Sequence, residues 1–223
     1  MDFNMPRISD AIDPGDALGE VLFGLIMALT FTVGSRLLFS KEGLDVPELI
    51  VATIGCNVAW GIIDAVLFVL GTAFYKSRRV RVFRQVKAAG SEQEAISALR
   101  KEFPLDSEPY VAASADEEAL YRAMLDLARR GSPARLRLSM DDLVAAIVVF
   151  LLVSATSLPA VIPFFLIDNA DVALRTSNFL LIALLFLTGC AWARFSDAKP
   201  LHAGTTMTCL GLLLVGIAIA LGG

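Results

Sequence analysis

Residues 49–75 read LIVATIGCNVAWGIIDAVLFVLGTAFY, and residues 76–87, directly after them, read KSRRVRVFRQVK. The first stretch, Leu49 to Tyr75, is longer than the ~20 apolar residues that carry a helix across ~30 Å of hydrocarbon. Comparable runs extend over Ala17 to Phe39, Leu143 to Ile167, Ser177 to Phe195 and Leu201 to Leu221. With 56% hydrophobic residues and 19% charged, and a mean hydropathy of +0.67, this pattern excludes a soluble domain. It defines an all-α, polytopic membrane protein with five transmembrane helices, whose termini lie on opposite sides of the membrane.

Cations set the orientation. Of 19 Lys and Arg, 13 fall between Lys76 and Met140, against Arg36 and Lys41 in the first loop and Arg175 in the third. The positive-inside rule places that segment, the N-terminus and the Arg194 to Lys199 turn in the cytoplasm, and the C-terminus outside. The net charge of −4 has no bearing on this, since orientation follows Lys and Arg alone. No basic patch stands clear of the membrane-flanking positions, so nucleic acid is not an expected partner. Asp2, Asp10, Asp13 and Asp16 with only Arg7 are the reverse of a signal peptide's basic start. Cys56, Cys190 and Cys209 lie inside spans without CxxC spacing and read as packing residues, and His202 reads as solvated. Without a nucleophile and base pair or a Gly-rich phosphate loop, no enzyme is expected.

Three regions follow: 1–75 with the first two spans, 76–140 as a three-helix cytoplasmic insert, and 141–223 with the last three spans. In the insert, Lys76 to Ala89 continues the second span with Val80, Phe83 and Val86 inward, and Gly90 ends it. Ser91 to Glu94 is a capping box opening a helix whose face is Ala95, Leu99 and Phe103. After a Pro104 to Pro109 connector, Ser114 to Glu117 opens a third helix bearing Leu120, Met124 and Leu127, stopped by Gly131-Ser132-Pro133.

Asp64 is the costly residue of the second span, because a carboxylate at bilayer depth costs ~2.5 to 3.5 kcal/mol on insertion scales. Asn57, seven residues earlier, shares its face with Gly61 between them, ~10 Å from end to end. Both residues fit either an ion-carrying site or hydrogen-bonding glue between helices. On the first span, Asp13 is placed to cap and Pro14 to open the helix, so that Asp13, Asp16, Glu20, Gly24 and Met27 share one face. Early carboxylates also complement the helix dipole, but Glu20 lies about two turns in. Pro159 and Pro163 either kink the third span or free carbonyls to line a cavity. Small residues at Ala52, Gly55 and Ala59, and at Gly204, Gly211, Gly216 and Ala220, permit close helix contacts in a compact or dimeric bundle.

Gly24-Leu25-Ile26-Met27-Ala28-Leu29-Thr30 resembles the first-helix G-L-S-D-G-L-T of the vacuolar iron transporter family, and Gly55 to Val66 resembles its second-helix G-L-A-E-I-A-A-G-A-I-S-M-G. The prolines within Leu158 to Phe164 and the terminal Gly216 to Gly223 are similar to that family as well. The resemblance implies export of Fe²⁺ or Mn²⁺ from the cytosol in exchange for protons. It further implies a homodimer in contact with lipid and no permanently bound cofactor. A bacterial inner membrane is the expected location.

Where the family has its first-helix Asp this chain has Met27, where it has the second-helix Glu there is Asn57, and its Met position is Ala65. Asp64 stands where Ser is usual. The expected rearranged metal site is Met27, Asn57 and Asp64 at one depth, with Glu20 and Asp16 at the cytoplasmic mouth. Oxygen ligands and a thioether suit Fe²⁺ or Mn²⁺ better than Mg²⁺. Glu92, Glu94, Glu102, Asp116, Glu117, Glu118 and Asp126 of the insert lack the family's ExxE-like metal-collecting spacing and read as solvated helix surface. A membrane scaffold that transports nothing, and a transporter of another cargo, remain alternatives.

Overall fold

The computed structural model describes residues 12–38, 45–104, 114–131 and 137–221. Among them are eight helical segments and no strand: α1 Pro14–Leu38, α2 Val46–Ala88, α3 Glu92–Glu102, α4 Ser114–Arg130, α5 Met140–Ala155, α6 Ser157–Leu166, α7 Ala170–Trp192 and α8 Pro200–Ala220. Five stretches are long and apolar enough to cross a membrane: Pro14–Gly34, Val46–Ala88, Met140–Leu166, Ala170–Trp192 and Pro200–Ala220. The all-α class with five spans therefore holds. Readings that rest on Asp2, Arg7, Asp10, Lys41, the connector at 105–109, the stop at 132–133 and the last two glycines lie outside the described residues, as do the side chains of Arg36 and Ser114. The chain forms two compact units, Met1–Val69 with Met140–Gly223, and Leu70–Ser139. Residues 46–69 of α2 belong to the first and 70–88 to the second.

In the first unit α1 begins where its sequence dictates. Asp13 accepts a hydrogen bond from Gly15 N at 2.7 Å through its side chain, and one from Ala17 N through its carbonyl. Pro14, which has no N–H to lose, takes the first helical position. From there α1 is the hub, packing against α5, α6, α7 and α8. Leu25, Ala28 and Leu29 meet Ala160, Leu181, Leu185 and Val215 in the main core cluster. α7 and α8 cross at Gly189 and Gly204, where a Cβ on Gly189 would stand 2.8 Å from the carbonyl of Ala203. Gly211 packs against Leu185 and Ile26, whereas Gly55 and Gly216 face open space.

α2 is attached differently. Only 11% of its most apolar window is buried, against 50% for α5 and α6 together. Its inner stripe of Asn57, Gly61 and Phe68 runs along α5, and Val51, Ile62, Val66, Leu67 and Leu70 are exposed.

The third span is divided at Thr156. Pro159 cannot donate to the carbonyl of Ala155, so the α5 ladder ends there. Thr156 N instead reaches Val153 O at 3.3 Å, and the Thr156 and Ser157 hydroxyls donate to Val153 O and Ser154 O. The prolines thus coincide with a break in the helix between Ala155 and Ser157.

The second unit packs the end of α2 against α3 and α4. Ser91 Oγ caps α3 by accepting from Glu94 N at 3.2 Å, and Glu94 accepts in turn from Gly90 N. The core is Val82, Val86, Ala95, Ile96, Leu99, Tyr121, Leu125 and Ala128. This corrects the expected inner faces of α2 and α4. Phe83, Leu120 and Leu127 are exposed, while Tyr121 is fully buried. The ring offers more apolar area than a leucine, and its hydroxyl finds a partner in Phe103 O at 2.7 Å. Arg100 covers its face at 5.4 Å. Tyr121→Phe removes a hydrogen bond worth about 1 kcal/mol. Hydrogen exchange of the α4 amides in the whole protein should quicken about fivefold, the factor that energy carries.

Candidate functional site

Asn57 is completely buried where three helices meet. Its amide nitrogen donates to Thr156 Oγ1 at 2.9 Å and to Gly24 O at 3.2 Å, with Val153 O at 3.4 Å. The Thr156 hydroxyl spends its own proton on Val153 O at 2.6 Å, so it can only accept from Asn57. The amide is therefore held nitrogen-inward, and its Oδ1 is left buried without a hydrogen-bond partner. Gly24 permits this contact, since a Cβ there would lie inside the contact radius of Thr156 Oγ1 and 3.0 Å from Val153 O. Gly61, one turn further along α2, meets α5 as closely. A Cβ on it would stand 2.8 Å from Ser154 Oγ and 2.9 Å from Phe150 O.

Two turns from Asn57, Asp64 is half-buried, and its Oδ2 is enclosed without a hydrogen-bond partner. Across from it on α1 lies Glu20, within electrostatic range of both Asp64 and Asp16. Phe23 and Trp60, in edge contact with ring centroids 5.7 Å apart, brace the same pair of helices. These pairings, Gly24 with Asn57 and Glu20 with Asp64, mean that α1 and α2 run antiparallel.

Met27 lies elsewhere. It is three residues beyond Gly24 on α1, about 4.5 Å along the axis, while Asp64 is displaced about 10 Å the opposite way from Asn57. The separation of Met27 from Asp64 is thus about 15 Å along the bundle, and that of Asn57 from Asp64 about 10 Å. Ligands of one ion stand at 2.3 to about 2.6 Å from it at most, so these residues form a series and not one coordination sphere. Among the described residues no three His, Cys, Asp or Glu side chains gather to hold a metal ion. Along the bundle the order is Glu20 and Asp64, then Gly24 with Asn57, then Met27.

Residues 75–223 match the model of the VIT family, the vacuolar iron transporters. The chain belongs to the VIT family. Members of the VIT family are membrane transporters of metal ions and not enzymes, and membership points this multi-pass membrane protein to that class. No curated protein matches the chain. The VIT match takes in the second unit from Tyr75 onward and the last three spans, while α1 and residues 46–74, which bear Met27, Asn57 and Asp64, precede it.

In the second unit five glutamates serve neighbours. Glu102 pairs with Arg78 at 2.9 Å, Glu117 with Arg100 at 3.1 Å, and Glu92 and Glu118 with Arg122 at 3.6 and 3.4 Å. Glu94 caps α3. The sequence reading did not single out Thr156 and Ser154 of the third span, which meet Asn57 and Gly61. Their signal was a run of hydroxyls, Ser154, Thr156 and Ser157, immediately before Pro159 in an otherwise apolar stretch.

Proposed function

We propose that the protein exports Fe²⁺ or Mn²⁺ from the cytosol in exchange for protons. The observation that carries this reading is the Asp64 carboxylate, enclosed without a hydrogen-bond partner in the second span of a VIT-family chain. Asp16, exposed one turn before Glu20, adds charge that draws cations to the N-terminal end of α1. Glu20 and Asp64 take the dehydrating ion, Asn57 offers its one free oxygen further in, and Met27 adds a thioether beyond that. A path used in sequence suits transport, because each site must bind well enough to admit the ion and weakly enough to release it. The positive-inside rule supports a cytoplasmic N-terminus, with the carboxylate end of the path facing the cytosol. A bacterial inner membrane is the compartment we assign.

A homodimer completes this reading. The open face of α2 presents Gly55 and Ala59 among exposed Val51, Ile62 and Val66, and small residues of this kind let two helices approach closely in lipid. A scaffold without transport activity is favoured by one observation, the three acceptors that engage the Asn57 amide as interhelical glue.

Flux of Fe²⁺, Mn²⁺ and Zn²⁺ into liposomes bearing the purified protein, across a fixed pH difference, tests the cargo. Fe²⁺ and Mn²⁺ should accumulate well above protein-free liposomes and ahead of Zn²⁺. Equal leakage with and without protein contradicts transport.

A further inference from the structure

Three buried oxygens in this part of the bundle have no hydrogen-bond partner: Asn57 Oδ1 and Asp64 Oδ2 on one face of α2, and Ser154 Oγ on α5. Ser154 Oγ rests against Gly61, which stands between the other two on α2. The steps between their levels are therefore about 6 Å and about 4.5 Å along the helix. Buried polar groups are nearly always paired, and a row of exceptions in one seam calls for an explanation. In the closed seam these oxygens have lost water and gained nothing in return. The helix that bears Asn57 and Asp64 is the least buried of the spans, and it approaches Ser154 and Phe150 of α5 at Gly61.

We infer that Ser154 lines an aqueous ion path between α2 and α5, which opens when the two helices part. Asn57 Oδ1, Ser154 Oγ and Asp64 Oδ2 are then hydrated in turn and hand a water-borne cation or proton along α2. α1 stays with α5 to α8, because their shared core of Leu25, Leu29, Leu181 and Leu185 is closely packed. The inference deepens the transport reading and rests on it for its purpose, though the hydration of the seam is measurable without any flux.

The test uses the full chain with Cys56, Cys190 and Cys209 replaced by Ala, carrying Ser154→Cys, reconstituted in liposomes. A charged methanethiosulfonate reagent is supplied on both sides. Leu151→Cys, on an exposed position of α5, is the lipid-facing control. Ser154→Cys should react at least about tenfold faster than the control, the ratio expected for a thiol reached by water. Equal rates, or no reaction at position 154, overturn the inference. Modification of Ser154→Cys by the reagent should also stop Mn²⁺ flux, and a reductant should restore it. Undiminished flux through the fully modified protein overturns the inference and leaves transport standing. Wild type that carries no metal contradicts the transport reading instead, and the labelling rates still decide the seam.

Discussion

Asp64→Asn should reduce metal flux about a hundredfold, the factor carried by ~2.7 kcal/mol, and leave the protein folded. The substitution preserves volume and shape but removes the negative charge that binds a cation and the site that carries a proton. Its structural cost is small, because Asp64 Oδ2 has no hydrogen-bond partner to lose. Removing the charge also relieves repulsion with Glu20, so resistance to heat or denaturant in detergent should be unchanged or slightly higher. A scaffold predicts the opposite pattern, in which Asp64 is held for the fold and its replacement unfolds or monomerises the protein. Flux near wild type in Asp64→Asn removes Asp64 from the mechanism.

Gly24→Ala should be strongly destabilising, because the crossing of α1 and α5 has no room for a methyl group. The added Cβ meets Thr156 Oγ1 and lies 3.0 Å from Val153 O, and neither can give way easily. Thr156 Oγ1 is held by its bond to Val153 O and by the Asn57 amide, and Val153 O belongs to the α5 backbone. Overpacking of this kind costs about 1 to 3 kcal/mol, occasionally more. Here it also pushes α5 from Asn57, whose hydrogen bonds are worth about 1 kcal/mol each. A loss near 4 kcal/mol is expected, read as a lower unfolding midpoint in a denaturant titration in micelles. Thr156→Ala removes the obstructing hydroxyl. The double variant Gly24→Ala with Thr156→Ala should therefore be more stable than Gly24→Ala alone, a coupling that the two single losses do not sum to. Additive losses would mean that the α1 and α5 crossing is not where the structure has it.

Much of the fold is legible in the sequence, because each span is a local property of length and apolarity. The start of α1 at Asp13 and Pro14 and the cap at Ser91 are equally local, since a side chain meets a backbone group two or three residues away. The common face of Asn57, Gly61 and Asp64 follows from helical period, and the structure turns that face toward α1 and α5. What periodicity does not contain is the offset between neighbouring helices. Met27 and Asp64 were expected at one depth because both sit near the middle of their runs. The antiparallel contact of Gly24 with Asn57 sets them about 15 Å apart along the axis, and brings Glu20 beside Asp64 instead. On α4, Leu120 and Tyr121 fit a helical stripe almost equally well. The choice fell to Tyr121 because its hydroxyl reaches Phe103 O, a partner on a different segment. The junction at Thr156 combines both difficulties, as Pro159 signals a break but only tertiary contact shows Thr156 receiving Asn57.

The claim at the centre of this account is exchange of metal for protons, and counting both ions in the same vesicles tests it most directly. Liposomes containing the wild-type protein, an internal pH dye and an acidic lumen would be given external Mn²⁺, with the membrane potential clamped. The account predicts Mn²⁺ entry accompanied by alkalinisation of the lumen, both lost when the pH gradient is dissipated beforehand. Mn²⁺ entry without proton release, at a rate indifferent to the pH gradient, would contradict it.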